Sequence, residues 1–122
     1  MGPVPLLNAY HAALNAFDLA TVKSMFAEDA IYVSPRLNGQ ITGRAAIMEA
    51  MEKYFAEFAD QVSVDENIHH LDEFNAQADW RLQATSSLTG KSITRRGSEV
   101  IRFDSNGLIQ RVDVIDRAIT QS

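Results

Sequence analysis

Glu99 is the residue of this sequence with the most chemistry to account for. It lies in the run Gly97-Ser98-Glu99-Val100-Ile101-Arg102-Phe103, and the period of a strand puts Gly97, Glu99, Ile101 and Phe103 on one face. A carboxylate among apolar neighbours is costly to ionise unless paired, so its pKa rises or a partner must reach it. Kept neutral near neutral pH, such a carboxyl can donate a hydrogen bond to a developing oxyanion. The plain alternative is a sheet-edge salt bridge with Arg95 or Arg96, or a glutamate turned to solvent. Tyr10 stands in an inward helical stripe, where its phenol either donates to a ligand oxygen or simply completes the core. His70 shares strand parity with Val64 and Ile68 and is a candidate inward-facing base, while His69 points the other way. Two adjacent strand histidines do not readily share a metal, and no Asp or Glu stands at a ligand spacing, so no metal is expected. Asp116 shares parity with Val112 and Val114, which puts it at a pocket rim or at a solvated strand end. Asp113 takes the opposite face. Gly39 and Gly43 make no phosphate loop, because no Gly-Lys-Ser/Thr stands at the required spacing. No serine sits in a nucleophile-elbow pattern. Acid–base chemistry or plain binding remains, with no cofactor expected.

Positioning these groups requires helices first and strands later. Leu6, Leu7, Tyr10, Leu14 and Phe17 recur at helical spacing and form one inward stripe. Asp18 reads as the N-cap of a second helix that buries Leu19, Val22, Met25 and Phe26. Ala30–Ser34 is a short β-prone run stopped by Pro35. A loop punctuated by Pro35, Asn38 and Gly39 runs to Gly43, and Thr42 can cap a third helix with Ile47, Met51, Tyr54, Phe55 and Phe58 on its buried side.

The period then changes. Ala78, Trp80, Leu82 and Ala84 alternate with Asp79, Arg81, Gln83 and Thr85, a half-buried strand with one polar face. Val62, Val64 and Ile68 suggest a strand before it. Turns at Leu88-Thr89-Gly90-Lys91 and Asp104-Ser105-Asn106-Gly107 delimit strands near Ser92–Asp104 and Leu108–Arg117. Helices gathered at the front and strands joined by tight turns give an α+β domain spanning residues 1–122.

Composition excludes several classes. A chain of 122 residues with 46% hydrophobic residues suits one folded domain. Cysteine is absent, which removes disulfides and thiol chemistry. The net charge of −5 with scattered basic residues offers no surface for nucleic acid. No apolar stretch approaches the ~20 residues needed to cross a bilayer. The start, Met1-Gly2-Pro3-Val4-Pro5, has no basic region of a signal peptide, and a cytoplasmic protein is expected.

Several segments together resemble the SnoaL-like and ketosteroid-isomerase-like branch of the nuclear-transport-factor-2-like superfamily. They are Tyr10-His11-Ala12-Ala13-Leu14-Asn15-Ala16-Phe17-Asp18-Leu19, Met25-Phe26-Ala27-Glu28-Asp29-Ala30, Thr42-Gly43-Arg44-Ala45-Ala46-Ile47, Val100-Ile101-Arg102-Phe103-Asp104 and Gly107-Leu108-Ile109. The resemblance covers nearly the whole chain. It implies a cystatin-like cone, α-α-β-α-β-β-β-β, with three helices on a curved, mostly antiparallel sheet. It also implies a pocket for a small apolar carbonyl compound. The isomerase's oxyanion-hole tyrosine falls on Tyr10 and its oxyanion-hole acid on Glu99. Its general base falls on Ser34, which is no base without help. A base would then have to be His70, Asp116 or a water. Phe26, Met51, Trp80, Leu82, Ile101, Val112 and Val114 are the expected walls, with Ser34. The epoxide-hydrolase pattern fails, because Trp80 and Leu82 stand where its Arg-x-Asp pair is needed. Two functions are open: a cofactor-independent isomerase, cyclase or dehydratase, or a non-catalytic ligand-binding or dimerisation module. The resemblance also implies a homodimer through the outer sheet face.

Overall fold

The computed structural model describes residues 2–35 and 39–121, so Asn38 of the expected loop lies outside them. The described residues form three helices and six strands. Helix α1, Pro3–Asn15, opens on proline, whose missing N–H costs nothing in a first turn. It buries Leu7, Tyr10 and Ala13. Phe17, expected in that stripe, is 38% exposed instead. It adopts a left-handed backbone, φ 55°, that turns the chain out of α1, and its ring meets Phe55 edge-on at 5.2 Å. Helix α2, Leu19–Met25, is capped by Asp18, which accepts from the Thr21 N–H at 3.2 Å and its hydroxyl at 2.6 Å.

Strand β1 runs Phe26–Ser34, four residues earlier than expected, because Phe26 is already extended and leaves the helix. The segment read as loop contains strand β2, Gly39–Thr42, antiparallel to β1. Helix α3, Arg44–Glu57, starts at Gly43 with φ 96°, so glycine rather than Thr42 occupies the cap and no side chain bonds there. Strands β3 (Val62–His70), β4 (Asn75–Thr85), β5 (Ser92–Phe103) and β6 (Ile109–Gln121) follow. The hairpin turns fall where the Gly90 and Gly107 signals put them, both at positive φ.

The sheet order is β2-β1-β6-β5-β4-β3. Neighbours are antiparallel except β1 and β6, which run parallel, Tyr32 opposite Val112. The expected element order thus lacked β2, while the α+β architecture with a mostly antiparallel sheet stands. One sheet face carries Ala76, Ala78, Trp80, Leu82 and Ala84 of β4 and Ile101 and Phe103 of β5, packed with α1 and α3 into a single core. Burying this apolar set supplies the main driving force of the fold.

Candidate functional site

Glu99 does face the inner side and is buried. Its partner is neither Arg95 nor Arg96 but His11. The His11 Nε2–H donates to Glu99 Oε1. On the other edge of the ring, Nδ1–H donates to Asp65, 2.7 Å from Oδ2 and 2.8 Å from Oδ1. Residues from α1, β3 and β5 therefore form one line, Asp65–His11–Glu99. The side chains are 19%, 11% and 8% exposed in that order, so the line is largely out of water.

Burial alone would lower the pKa of His11. It is overcome by the charge of Glu99, the hydrogen bonds to both carboxylates and the charge of Asp65, and the net effect lifts His11 to about 10. At neutral pH the ring is an imidazolium held by two carboxylates, and neither nitrogen offers a lone pair to a metal. Among the described residues no group of side chains is arranged to hold a metal ion.

The line opens on a cavity of about 100 Å³. Of the expected residues, Ser34, Met51, Trp80, Leu82, Glu99 and Val114 line it. His11, Tyr32, Gln61 and Arg95 line it too and were not anticipated. Tyr10, Phe26, Ile101 and Val112 do not reach it. All four are fully buried in the core, and Tyr10 meets Phe26 edge-on at 5.7 Å. Tyr32 lines the cavity alongside Tyr54. The Tyr32 phenol is held protonated by burial first and by the charge of Glu99 second. Tyr10's hydroxyl interacts with that of Tyr32 without a hydrogen bond of regular geometry.

His70 sits at the end of edge strand β3, opposite Ala76, and is exposed. The parity expected for β3 fails at a bulge between Asp65 and Asn67. Asp65 and Ile68 both turn inward as a result, and Val64 is 48% exposed. Asp116 does turn inward, but it serves Arg95. Its Oδ1 accepts from Arg95 Nη2 at 2.7 Å and Nε at 3.2 Å. Arg95 also donates to the Tyr54 hydroxyl at 3.0 Å and stacks over Trp80 at 5.3 Å. Beyond this group a wider groove of about 630 Å³ opens beside α3, sharing Tyr54, Leu82 and Arg95 with the cavity.

Signals for two of the unexpected residues stood in the sequence. Arg95 has the parity of Glu99, two residues beyond Gly97. Tyr32 has the parity of Ala30 and Ser34 in the same short run.

A family profile for the SnoaL-like domain matches residues 7–112. No curated protein matches the chain. Among solved structures, the Δ5-3-ketosteroid isomerase from Mycobacterium sp. is similar with a TM-score of 0.85 at 16% identity, 100% of each chain being covered. RV0760c from Mycobacterium tuberculosis, solved with estradiol-17β-hemisuccinate, gives 0.85 at 15% identity over 97% of each chain. SalBIII, an epoxide hydrolase/cyclase-like enzyme of pyran ring formation in salinomycin, gives 0.85 at 17% identity, over 96% of this chain and 93% of its own. At these identities the likeness is one of fold, and function has to be argued from the site.

Proposed function

The chain belongs to the SnoaL-like domain family, and we propose that it binds a small, mostly apolar carbonyl compound and moves a proton on it by acid–base chemistry. The observation that carries this reading is the buried line Asp65–His11–Glu99 facing the cavity beside Tyr32. Glu99 takes the proton next to the carbonyl. Tyr32, protonated and partly buried, donates to the oxyanion as it forms. His11 fixes the Glu99 carboxylate and offsets its charge, and Asp65 fixes the tautomer and angle of His11. Returning the proton at another carbon gives isomerisation, and expelling a hydroxyl instead gives dehydration. Neither step calls on a cofactor.

A cavity of about 100 Å³ is small beside the roughly 300–1,000 Å³ of drug-sized sites. In this reading the reacting end of the molecule enters the cavity, and the remainder passes Arg95 and Tyr54 into the wider groove. Steroid-sized ligands of similar folds, such as the one bound by RV0760c, agree with that extent.

The test is exchange of α-protons with solvent deuterium across a panel of ketones and enones. Glu99→Gln is expected to lower the rate by about a hundredfold or more while keeping affinity. Compounds that bind but show no exchange in the wild type would leave the second reading, a non-catalytic binding module. Buried Ser34, the position at which the family resemblance implies a general base, favours that reading. We also propose a cytoplasmic homodimer through the outer sheet face, where Arg81, Gln83 and Thr85 are exposed. A monomeric mass in light scattering at micromolar concentration would remove the dimer.

A further inference from the structure

Gln61 lies where α3 turns into β3, its backbone N–H donating to the Phe58 carbonyl at 3.1 Å. Its side chain lines the cavity and the residue is only 8% exposed. The amide oxygen, Oε1, has no hydrogen-bond partner among the described residues. Buried polar atoms are nearly always satisfied, and an orphan at the wall of a cavity points to what the cavity takes.

Among the described residues no neighbour donates to it. Asn15 gives its Nδ2–H to the Ser63 carbonyl at 2.9 Å and accepts from the Ser63 N–H at 3.1 Å. Both N–H groups of His11 go to carboxylates. The cavity wall also carries the apolar side chains of Leu14, Met51 and Phe55, with Ser63 among them. A carboxamide oxygen in such surroundings discriminates strongly between a ligand that donates to it and one that cannot.

We propose that Gln61 is a specificity-determining residue that accepts a hydrogen bond from a hydroxyl of the ligand. The ligands of this cavity are therefore hydroxylated compounds, with the hydroxyl on the part of the molecule that enters the cavity beside Gln61. This rests on the reading of the cavity as a carbonyl site and narrows its substrate class.

The experiment compares phenol with toluene, which share a ring and differ by one hydroxyl. Dissociation constants are measured by NMR titration for the wild type, Gln61→Leu and Gln61→Met. In the wild type the Gln61 side-chain amide signals should shift with phenol and not with toluene. The preference for phenol should fall about tenfold in both variants, with toluene affinity kept. Unchanged preference in the variants, Gln61 signals that stay still with phenol, a preference for the non-donor anisole, or no binding of either ring at millimolar concentration would overturn the assignment. Neither probe carries a proton next to a carbonyl, so the result is independent of turnover. Phenol discrimination without exchange in any ketone removes catalysis and keeps Gln61's role. Exchange without discrimination does the reverse.

Discussion

The ring of Trp80 lies on the backbone of Gly97, its partner across β4 and β5. A Cβ at Gly97 would stand 2.8 Å from Cζ2 and Cη2 of that ring and would also strike the Ile115 carbonyl. The absent side chain is what allows the indole to lie flat under Arg95. Gly97→Ala should therefore cost about 2–3 kcal/mol of stability in urea unfolding. It should also shift the fluorescence of Trp80, the sole tryptophan. Unchanged emission with unchanged stability would contradict the packing.

The pairing of His11 makes stability depend on pH. Its folded pKa, about 10, lies above its ordinary 6.5. The stabilisation is fully present below pH 6.5, where both states bind the proton, and is lost as pH rises through 10. Across that window the wild type should lose about 5 kcal/mol at most. His11→Leu should start lower by about 3 kcal/mol at neutral pH, since two buried carboxylates lose their cation. Its remaining slope above pH 6.5 should be flatter. Parallel slopes would show that His11 is not the titrating group.

Tyr10 and Tyr32 should separate cleanly. Tyr32→Phe removes the donor at the cavity and should lower turnover by about a hundredfold. Tyr10→Phe removes a hydroxyl that lacks a regular hydrogen bond and should leave turnover within about threefold and stability level or improved. The opposite ranking, measured by α-proton exchange, would return the catalytic role to Tyr10.

Arg95 and Asp116 are 7% and 10% exposed. Arg95→Met strands a buried carboxylate and should cost about 3 kcal/mol, whereas Arg95→Met with Asp116→Leu should recover most of that loss. Additive losses in the double variant would mean that the two side chains act separately.

The helices, the hairpin turns and the face of Glu99 were all legible in the residues, because each rests on a local period or a turn signal. Tyr10 was legible as inward and still misleading, since an inward stripe does not say whether a side chain ends in the core or in a cavity. His11 follows it by one residue, about 100° around the helix. Its polar ring is invisible to a search for apolar spacing, and only the fold brings Asp65 and Glu99 to it. The bulge that turns Asp65 inward has no sequence mark in β3, so counting in twos from Val64 put Asp65 on the outer face, while His70 keeps the parity of Ile68 and is exposed because it ends the edge strand. Strand β2 was hidden for a related reason: Gly39–Thr42 has no buried face to alternate, and pairing with β1 alone makes it a strand.

The place of β6 between β1 and β5 bears on how the protein is made. Its parallel partner β1 comes early in chain order and leaves the ribosome well before β6. Until β6 emerges, β1 and β5 each present an open edge, and the inner apolar face has no closed sheet behind it. The sheet cannot close before β6 has emerged. During that interval the two open edges are exposed to pairing with other chains, until β6 joins them.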